Sequence, residues 1–168
     1  MTLDDLNRAD RAEFVAALGA IFEHSPWVPE RAFIARPFAT VSALHEAMVG
    51  VMRSADEDVQ LALIRAHPEL AGRAMVRREL TADSAHEQSS AGLDACSPEE
   101  HARLLALNAR YNAKFGFPFI LAVKGHDRHG VIAEFDRRVQ RDRPAEFAEA
   151  LDQIARIARF RLEALLGG

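Results

Sequence analysis

This sequence lacks the cysteines and the excess of basic residues on which two large classes of protein depend. Its 168 residues include a single cysteine, Cys96, so no disulfide can form within the chain, which fits a reducing compartment. Lysine and arginine number 21 against 25 acidic residues, and the formal net charge is −4. A nucleic-acid-binding protein normally carries a basic patch and has a high pI. We therefore do not expect this protein to bind nucleic acid.

Long apolar runs and recognisable targeting signals are also missing from the sequence. No apolar run is long enough to cross a bilayer. Residues 2–7 lack the basic start and apolar core of a signal peptide, and residues 165–168 carry no peroxisomal tripeptide. We therefore expect a cytoplasmic protein that has no membrane partner.

The composition is that of an ordinary globular domain, with 49% hydrophobic and 27% charged residues. A chain of this length buries roughly 70% of the surface that it exposes when unfolded, so it needs no metal or disulfide to hold it together. We expect one domain that spans residues 1–168.

Apolar residues recur at helical spacing along most of the chain, whereas strand patterns are nearly absent. The residues expected to cap the starts of helices are Asp10, Thr40, Asp56, Thr81 and Ser97. We predict an all-α, single-domain bundle of about seven to eight helices with almost no strand. Residues 2–7 are expected to form only a turn, 74–80 a helical turn or two, and Phe119–Val123 is too short to classify.

Polar chemistry is concentrated between residues 66 and 93, where His67 comes first. A helix must end close to His67, because Pro68 disfavours helical geometry at the residue before it. A histidine at such a position can hydrogen-bond the last helical carbonyls. It can also serve as a general acid–base group, because histidine titrates near neutral pH. The sequence leaves both interpretations open.

A second polar group, Ser84, Glu87 and Gln88, follows at spacings of three and four residues, which place side chains on one face of a helix. The interpretation without a functional role is that Glu87 and Gln88 are solvated surface residues. The functional one is that a carboxylate near a histidine orients the imidazole ring and raises its basicity.

Arg161 falls on the apolar stripe of the last predicted helix, three and four residues after Ala158 and Ile157, whereas Arg159 falls off it. A guanidinium on a buried face needs an anionic partner. The sequence leaves open whether that partner is a structural carboxylate or a bound substrate.

Two other groups suggest chemistry that we do not expect. His126, Asp127 and His129 invite a metal site, but they lack the four-residue spacing of a helical zinc pair and an obvious third ligand. We predict no metal site. Cys96 lies in a predicted loop, where we expect an inert thiol rather than a catalytic one.

Four groups of residues, taken in order, resemble one known family. They are Glu23-His24-Ser25-Pro26-Trp27, Ala66-His67-Pro68-Glu69-Leu70-Ala71, Glu87-Gln88 with Ala91-Gly92-Leu93, and Asn108 through Tyr111 to Phe115-Gly116-Phe117-Pro118-Phe119. From near residue 10 to about residue 165, the chain resembles the 2-oxo-4-hydroxy-4-carboxy-5-ureidoimidazoline (OHCU) decarboxylases of urate degradation. Each motif alone is weak, and the ordered set is specific.

The resemblance implies an all-α homodimer that needs no cofactor and makes (S)-allantoin from the last unstable intermediate of urate oxidation. It implies that His67 is the catalytic histidine. It also implies that the small ureidoimidazoline substrate is bound by Pro68, Ser84, Ala85, His86, Glu87, Gln88, Phe119, Ile120, Leu121, Ala122, Val123 and Arg161.

In the reaction that this resemblance implies, the substrate supplies its own electron sink. Its carbon–nitrogen double bond can accept the electron pair that carbon dioxide leaves behind. We hypothesise that His67 transfers protons and that Glu87 orients it as a second catalytic residue. Arg161 and the amide of Gln88 would hold the anionic and ureido parts, and backbone groups of Phe119–Val123 would bind the ring edges.

Three other functions remain as alternatives. A non-catalytic helical module would bind a purine-like ligand without turning it over. A metal-dependent amidohydrolase of ureide catabolism would need bound zinc. In a purely structural all-α domain, Arg161 would pair with a carboxylate inside the protein.

Overall fold

The computed structural model describes residues 1–72, 75 and 77–167, and within these ranges it contains helices and no strand. The nine described α-helices are α1 Leu3–Arg8, α2 Arg11–Leu18, α3 Trp27–Ala32, α4 Val41–Arg53, α5 Glu57–Arg65, α6 Ala82–Ser90, α7 Pro98–Phe115, α8 Arg128–Arg138 and α9 Arg143–Leu166. Two short 3₁₀ turns, Phe33–Ala35 and Leu93–Ala95, follow α3 and α6. The all-α prediction is therefore confirmed.

The described helices exceed the expected seven or eight in part because α1 forms where we expected only a turn. Thr2 and Asp5 make a reciprocal capping box, in which each side chain accepts a hydrogen bond from the other's backbone N–H. The helical turn expected over 74–80 includes Ala74 and Val76, which lie outside the described residues. None of the described helices is long and apolar enough to cross a membrane.

Most of the predicted helix starts are confirmed by capping hydrogen bonds. The side chains of Asp10, Thr40, Thr81 and Ser97 each accept a hydrogen bond from the backbone N–H three residues later. Asp56 occupies the cap position of α5, but its side chain makes no capping bond with the described residues. The α7 helix ends at Phe115 and is capped by Gly116, whose φ of 76° is left-handed, a conformation that glycine adopts without a steric penalty.

The chain packs into two compact units, which we describe separately. Unit 1 is Met1–Ala66 together with the end of the chain from Ile154, and unit 2 is His67–Gln153. The single domain expected over 1–168 stays a prediction. In unit 1 the buried apolar residues include Phe14, Leu18, Phe22, Leu44, Met48, Ile157, Ala158 and Leu162.

In unit 1, Arg36 binds the carbonyl oxygens at the end of α1. Its Nη1 atom donates to the carbonyl oxygens of Leu6, Asn7 and Ala9 at 3.2, 3.1 and 2.6 Å. Its guanidinium also lies over the ring of Phe33 at 3.6 Å. A cation near the last carbonyls of a helix is favourable, because those oxygens carry partial negative charge.

Unit 2 is built around a cluster of aromatic rings centred on Tyr111. Its ring lies within 4.4–6.0 Å of the rings of Phe115, Phe117, Phe119 and Phe135. Such pairs add about 0.5–1.5 kcal/mol each beyond the burial of their area. The cluster therefore anchors Phe117 and Phe119, which follow α7, against residues of α7 and α8.

Candidate active site

His67 lies where the sequence predicted, directly after a helix end. The α5 helix stops at Arg65, and Ala66 closes it with a backbone bond to Ala62. His67 is buried, with 7% of its surface exposed. Its Nε2 atom makes no hydrogen bond with the described residues, while the residue takes part in another interaction.

The backbone that follows His67 is held by amide side chains. Gln88 accepts a hydrogen bond from the N–H of Ala71 at 2.9 Å and donates one to the carbonyl oxygen of Glu69 at 3.3 Å. Asn108 donates to the carbonyl oxygen of Leu70 at 2.9 Å. We call residues 67–71 the His67 loop. Three successive residues of this loop are thus fixed from outside.

Ala71 has an unusual backbone conformation for a residue with a side chain. Its φ is 51°, in the left-handed region, and it is fully buried. Residues other than glycine adopt this region at a cost, so they remain there only when their surroundings hold them. The bond from Gln88 to the Ala71 N–H supplies such a hold. The His67 loop is therefore constrained by its partners rather than by local preference.

Gly72 allows the chain to turn closely after the His67 loop. A Cβ atom at this position would lie 2.7 Å from the Cβ of Glu69, which is closer than real Cβ atoms approach one another. The carboxylate of Glu69 is itself held by Asn112, whose Nδ2 donates to Oε1 at 2.6 Å. Only glycine fits here without a shift of the backbone.

The five residues 84–88 are split between two faces of α6. Ser84 and Gln88, four residues apart, are buried, whereas Ala85 and His86 are exposed. Glu87 is half-buried, at the border between the two faces. The orientation of His67 by Glu87 stays a prediction.

The segment Phe119–Val123, which we call the apolar segment, forms neither helix nor strand, yet every residue in it is buried. Buried backbone polar groups need partners, and outside regular structure those partners are often side chains. The N–H of Ala122 donates to Oε1 of Gln153 at 2.9 Å. The carbonyl oxygen of Ile120 accepts from Nη1 of Arg138 at 2.6 Å.

Arg161 is buried in unit 1, as its position on the apolar stripe predicted. Its Nη1 donates to a carboxylate oxygen of Glu23 at 2.8 Å and to the carbonyl oxygen of Ala20 at 3.1 Å. Its anionic partner therefore includes a structural carboxylate. Arg161 also takes part in a further interaction, and a guanidinium offers five N–H groups in all.

The turn that carries Glu23 is itself strained. His24 has a φ of 47°, and the hydroxyl of Ser25 donates to the carbonyl oxygen of Glu23 at 2.9 Å. Strain of this kind persists only where the surroundings impose it. Glu23 has 2% of its surface exposed and Arg161 has 6%, so both charges of the pair are largely removed from water.

Of the three residues that suggested a metal, Asp127 has a structural role. Asp127 caps α8 by accepting a hydrogen bond from the N–H of Gly130 at 2.7 Å, and this bond lowers the pKa of its carboxyl group. Among the described residues, no cluster of three or more His, Cys, Asp or Glu side chains could hold a metal ion. Burial raises the pKa of the Cys96 thiol, which makes it a poorer nucleophile at neutral pH.

Sequence reasoning named Glu23 and Asn108 among the motifs but assigned no role to the residues that support the site. Asn108 and Asn112 lie four residues apart on α7 and bind the His67 loop, and Glu23 binds Arg161. The available signal was the position of Asn108 among the buried residues of a helix, since a buried amide must have partners.

Comparison with known proteins gives one consistent result. The OHCU decarboxylase family model matches residues 7–163. The chain is 44% identical over 161 residues to the uric acid degradation bifunctional protein PucL of Bacillus subtilis (strain 168), covering 96% of this chain. It spans about a third, 32%, of that longer protein.

A second relative and a solved structure are also similar to this chain. The chain is 41% identical over 165 residues to the 2-oxo-4-hydroxy-4-carboxy-5-ureidoimidazoline decarboxylase of Halalkalicoccus jeotgali, covering 98% of this chain and 92% of that protein. A crystal structure of (S)-allantoin synthase superimposes with a TM-score of 0.78 and 31% identity. That match covers 99% of this chain and 54% of the crystallised one.

Because Gln88 makes two hydrogen bonds to the His67 loop, we expect the protein to lose stability when the Gln88 amide is removed. Gln88→Met should lower the free energy of unfolding by about 1–3 kcal/mol, because the buried Ala71 N–H loses its acceptor. The matched control, His86→Met on the exposed side of the same helix, should change it by less than about 0.5 kcal/mol. Urea denaturation measures the free energy of unfolding of both variants. Equal losses would contradict the role of Gln88 in holding the His67 loop.

Proposed function

This chain belongs to the OHCU decarboxylase family, and we propose that it is a carboxy-lyase that converts OHCU to (S)-allantoin in urate degradation, with His67 as its acid–base group. The observation that carries the role of His67 is that this buried histidine begins a loop held by side chains at its last three residues. A catalytic group must be held to within about 0.5 Å, and hydrogen bonds from side chains to its loop help to hold it in place.

The reaction needs proton transfer and orientation from the protein, while the substrate provides the electron sink. The bond between the ring carbon and the carboxylate breaks, and its electron pair forms a double bond to the neighbouring ring carbon. The π electrons of the former carbon–nitrogen double bond pass to nitrogen, which takes a proton. Loss of the hydroxyl proton then gives the ring carbonyl, and the carbon that bears the ureido group takes a proton on one face.

In this scheme His67 removes the hydroxyl proton and returns a proton to carbon. Histidine suits both steps because its ordinary pKa lies close to the working pH. Glu87, half-buried on α6, orients the imidazole and stabilises its charged form. Pro68 and residues 84–86 form the neighbouring wall of the substrate site.

The remaining recognition falls to charged and backbone groups. Arg161 binds the carboxylate of the substrate, and backbone groups of the apolar segment bind the edges of the ring. Gln88 uses its amide oxygen and one of its two N–H groups on the His67 loop. Its main contribution is therefore to position that loop, and only its second N–H is proposed to reach the ureido group.

We also propose that the enzyme is a homodimer that acts in the cytoplasm. The support for the dimer is the family to which the chain belongs, and the single cysteine fits a reducing compartment. Light scattering coupled to size exclusion should give twice the mass of 18.6 kDa. A mass equal to one chain at micromolar concentration would contradict the dimer.

Removing the imidazole tests the acid–base role directly. His67→Asn should lower kcat by about 10²–10⁴-fold, the usual contribution of a positioned general acid–base group. The control His129→Asn makes the same exchange at an exposed histidine whose side chain is 71% accessible, and it should leave kcat unchanged. The measurement is substrate consumption after the upstream enzymes generate OHCU from urate. Normal turnover by His67→Asn would remove this assignment.

The internal partner of Arg161 makes its role in binding a separate question. Arg161→Lys keeps the charge beside Glu23 but loses the planar fork, so a substrate contact through the fork should be lost. We expect KM to rise about tenfold or more, the equivalent of one charge-assisted hydrogen bond.

Arg159→Lys is the matched control for this test, because Arg159 lies on the same helix and pairs with Glu163. It should leave KM unchanged. An unchanged KM in both variants, with stability lost only in Arg161→Lys, would favour the purely structural role of Arg161.

A further inference from the structure

A buried charge network lies beside the apolar segment in unit 2. Glu146 and Arg138 are both fully buried, with 0% of either side chain exposed, and Nε of Arg138 donates to Oε1 of Glu146 at 2.9 Å. The hydroxyl of Tyr111 donates to the same oxygen at 2.7 Å, and Arg141 donates to the other at 3.0 Å. One carboxylate therefore accepts three hydrogen bonds.

A contribution to stability is a weak explanation for burying such a network. Removing two charges from water is costly, and well-packed apolar residues of similar volume often stabilise a fold equally well. The burial of Tyr111 and its bond to Glu146 raise the pKa of the phenol, so it remains protonated and continues to donate. The Tyr111 hydroxyl therefore stays a donor to Glu146 at neutral pH.

Arg138 connects this network to the apolar segment. While its Nε binds Glu146, its Nη1 donates to the carbonyl oxygen of Ile120 at 2.6 Å. Its guanidinium also lies 4.4 Å from the ring centre of Phe119, which stacks on Phe135 at 3.9 Å. The fork of one arginine therefore joins a fixed carboxylate to the backbone of the segment.

A second hold on the segment comes from the neighbouring turn of α9. Gln153 accepts from the N–H of Ala122, and its own Nε2 donates to Glu149 at 3.0 Å, which orients the amide. Arg141 lies 3.9 Å from Glu149 and also binds Glu146. The backbone is therefore held at two residues, Ile120 and Ala122, by side chains that belong to one connected set.

We propose that Arg138, locked by Glu146 and Tyr111, is a positioning residue that fixes the carbonyl of Ile120 and so sets the apolar segment for substrate binding. This inference rests on the proposed function, in which backbone groups of that segment bind the ring of the substrate. Arg138 itself is fully buried and acts through Ile120.

An all-apolar replacement separates positioning from stability. The triple variant Tyr111→Phe/Arg138→Met/Glu146→Leu removes both buried charges and the phenol together, so none of these three side chains is left with a lost partner. Arg141 keeps Glu149 as its partner, and the Ile120 carbonyl loses the bond under test. This variant should fold as the wild type does, raise KM about tenfold and leave kcat within about threefold, since one positioning hydrogen bond is lost. Wild-type KM in the folded triple variant would overturn the proposal.

Arg138→Lys keeps the proposal testable if the triple variant does not fold. Lysine preserves the charge opposite Glu146 but lacks the rigid fork that reaches two acceptors at once. It should also raise KM with little change in kcat. The control variant Glu134→Gln/Arg137→Gln, an exposed ion pair on the same helix, should leave KM unchanged.

A readout without substrate keeps this inference distinct from the proposed function. Amide hydrogen exchange over residues 119–123 should be faster in both Arg138 variants than in the wild type, because the hold on Ile120 is lost. Unchanged exchange would overturn the positioning role. Faster exchange in a protein whose wild type does not consume OHCU would support the positioning role and refute the decarboxylase assignment instead.

Discussion

Buried backbone outside helices must find hydrogen-bond partners, and in unit 2 both segments proposed to serve the reaction obtain them from side chains. The His67 loop is held by the amides of Gln88 and Asn108. The apolar segment is held by Arg138 and by the amide of Gln153. An unpaired buried N–H or C=O costs as much as a lost hydrogen bond, so these side chains decide which conformation each segment takes.

In each unit a buried arginine is paired with a buried glutamate. Arg161 is paired with Glu23 in unit 1, and Arg138 with Glu146 in unit 2. A buried pair of this kind holds its partners in place, because breaking it leaves an uncompensated charge in a medium of low dielectric constant. The proposed role of each arginine uses this rigidity, since a fixed guanidinium loses little freedom when it binds a further group.

The sequence was informative wherever the physical signal was local. Helical spacing and caps such as Ser97 predicted the all-α fold, and Pro68 predicted the helix end before His67. The position of Arg161 on the apolar stripe predicted its burial. The partners were not predictable in the same way, because Gln88 to Ala71 and Arg161 to Glu23 join residues 17 and 138 positions apart. The left-handed backbone of Ala71 likewise depends on a distant amide. Alanine has no local preference for that conformation, so the sequence gives no signal of it.

The central claim, that this chain decarboxylates OHCU and controls the face of protonation, is tested most directly by circular dichroism of the product. OHCU is generated in place from urate by the two upstream enzymes, and its uncatalysed decay gives racemic allantoin with no net signal. We expect the signal of (S)-allantoin to grow rapidly once this protein is added. A time course indistinguishable from the uncatalysed one would contradict the account and would favour a helical module that binds a purine-like ligand without turnover.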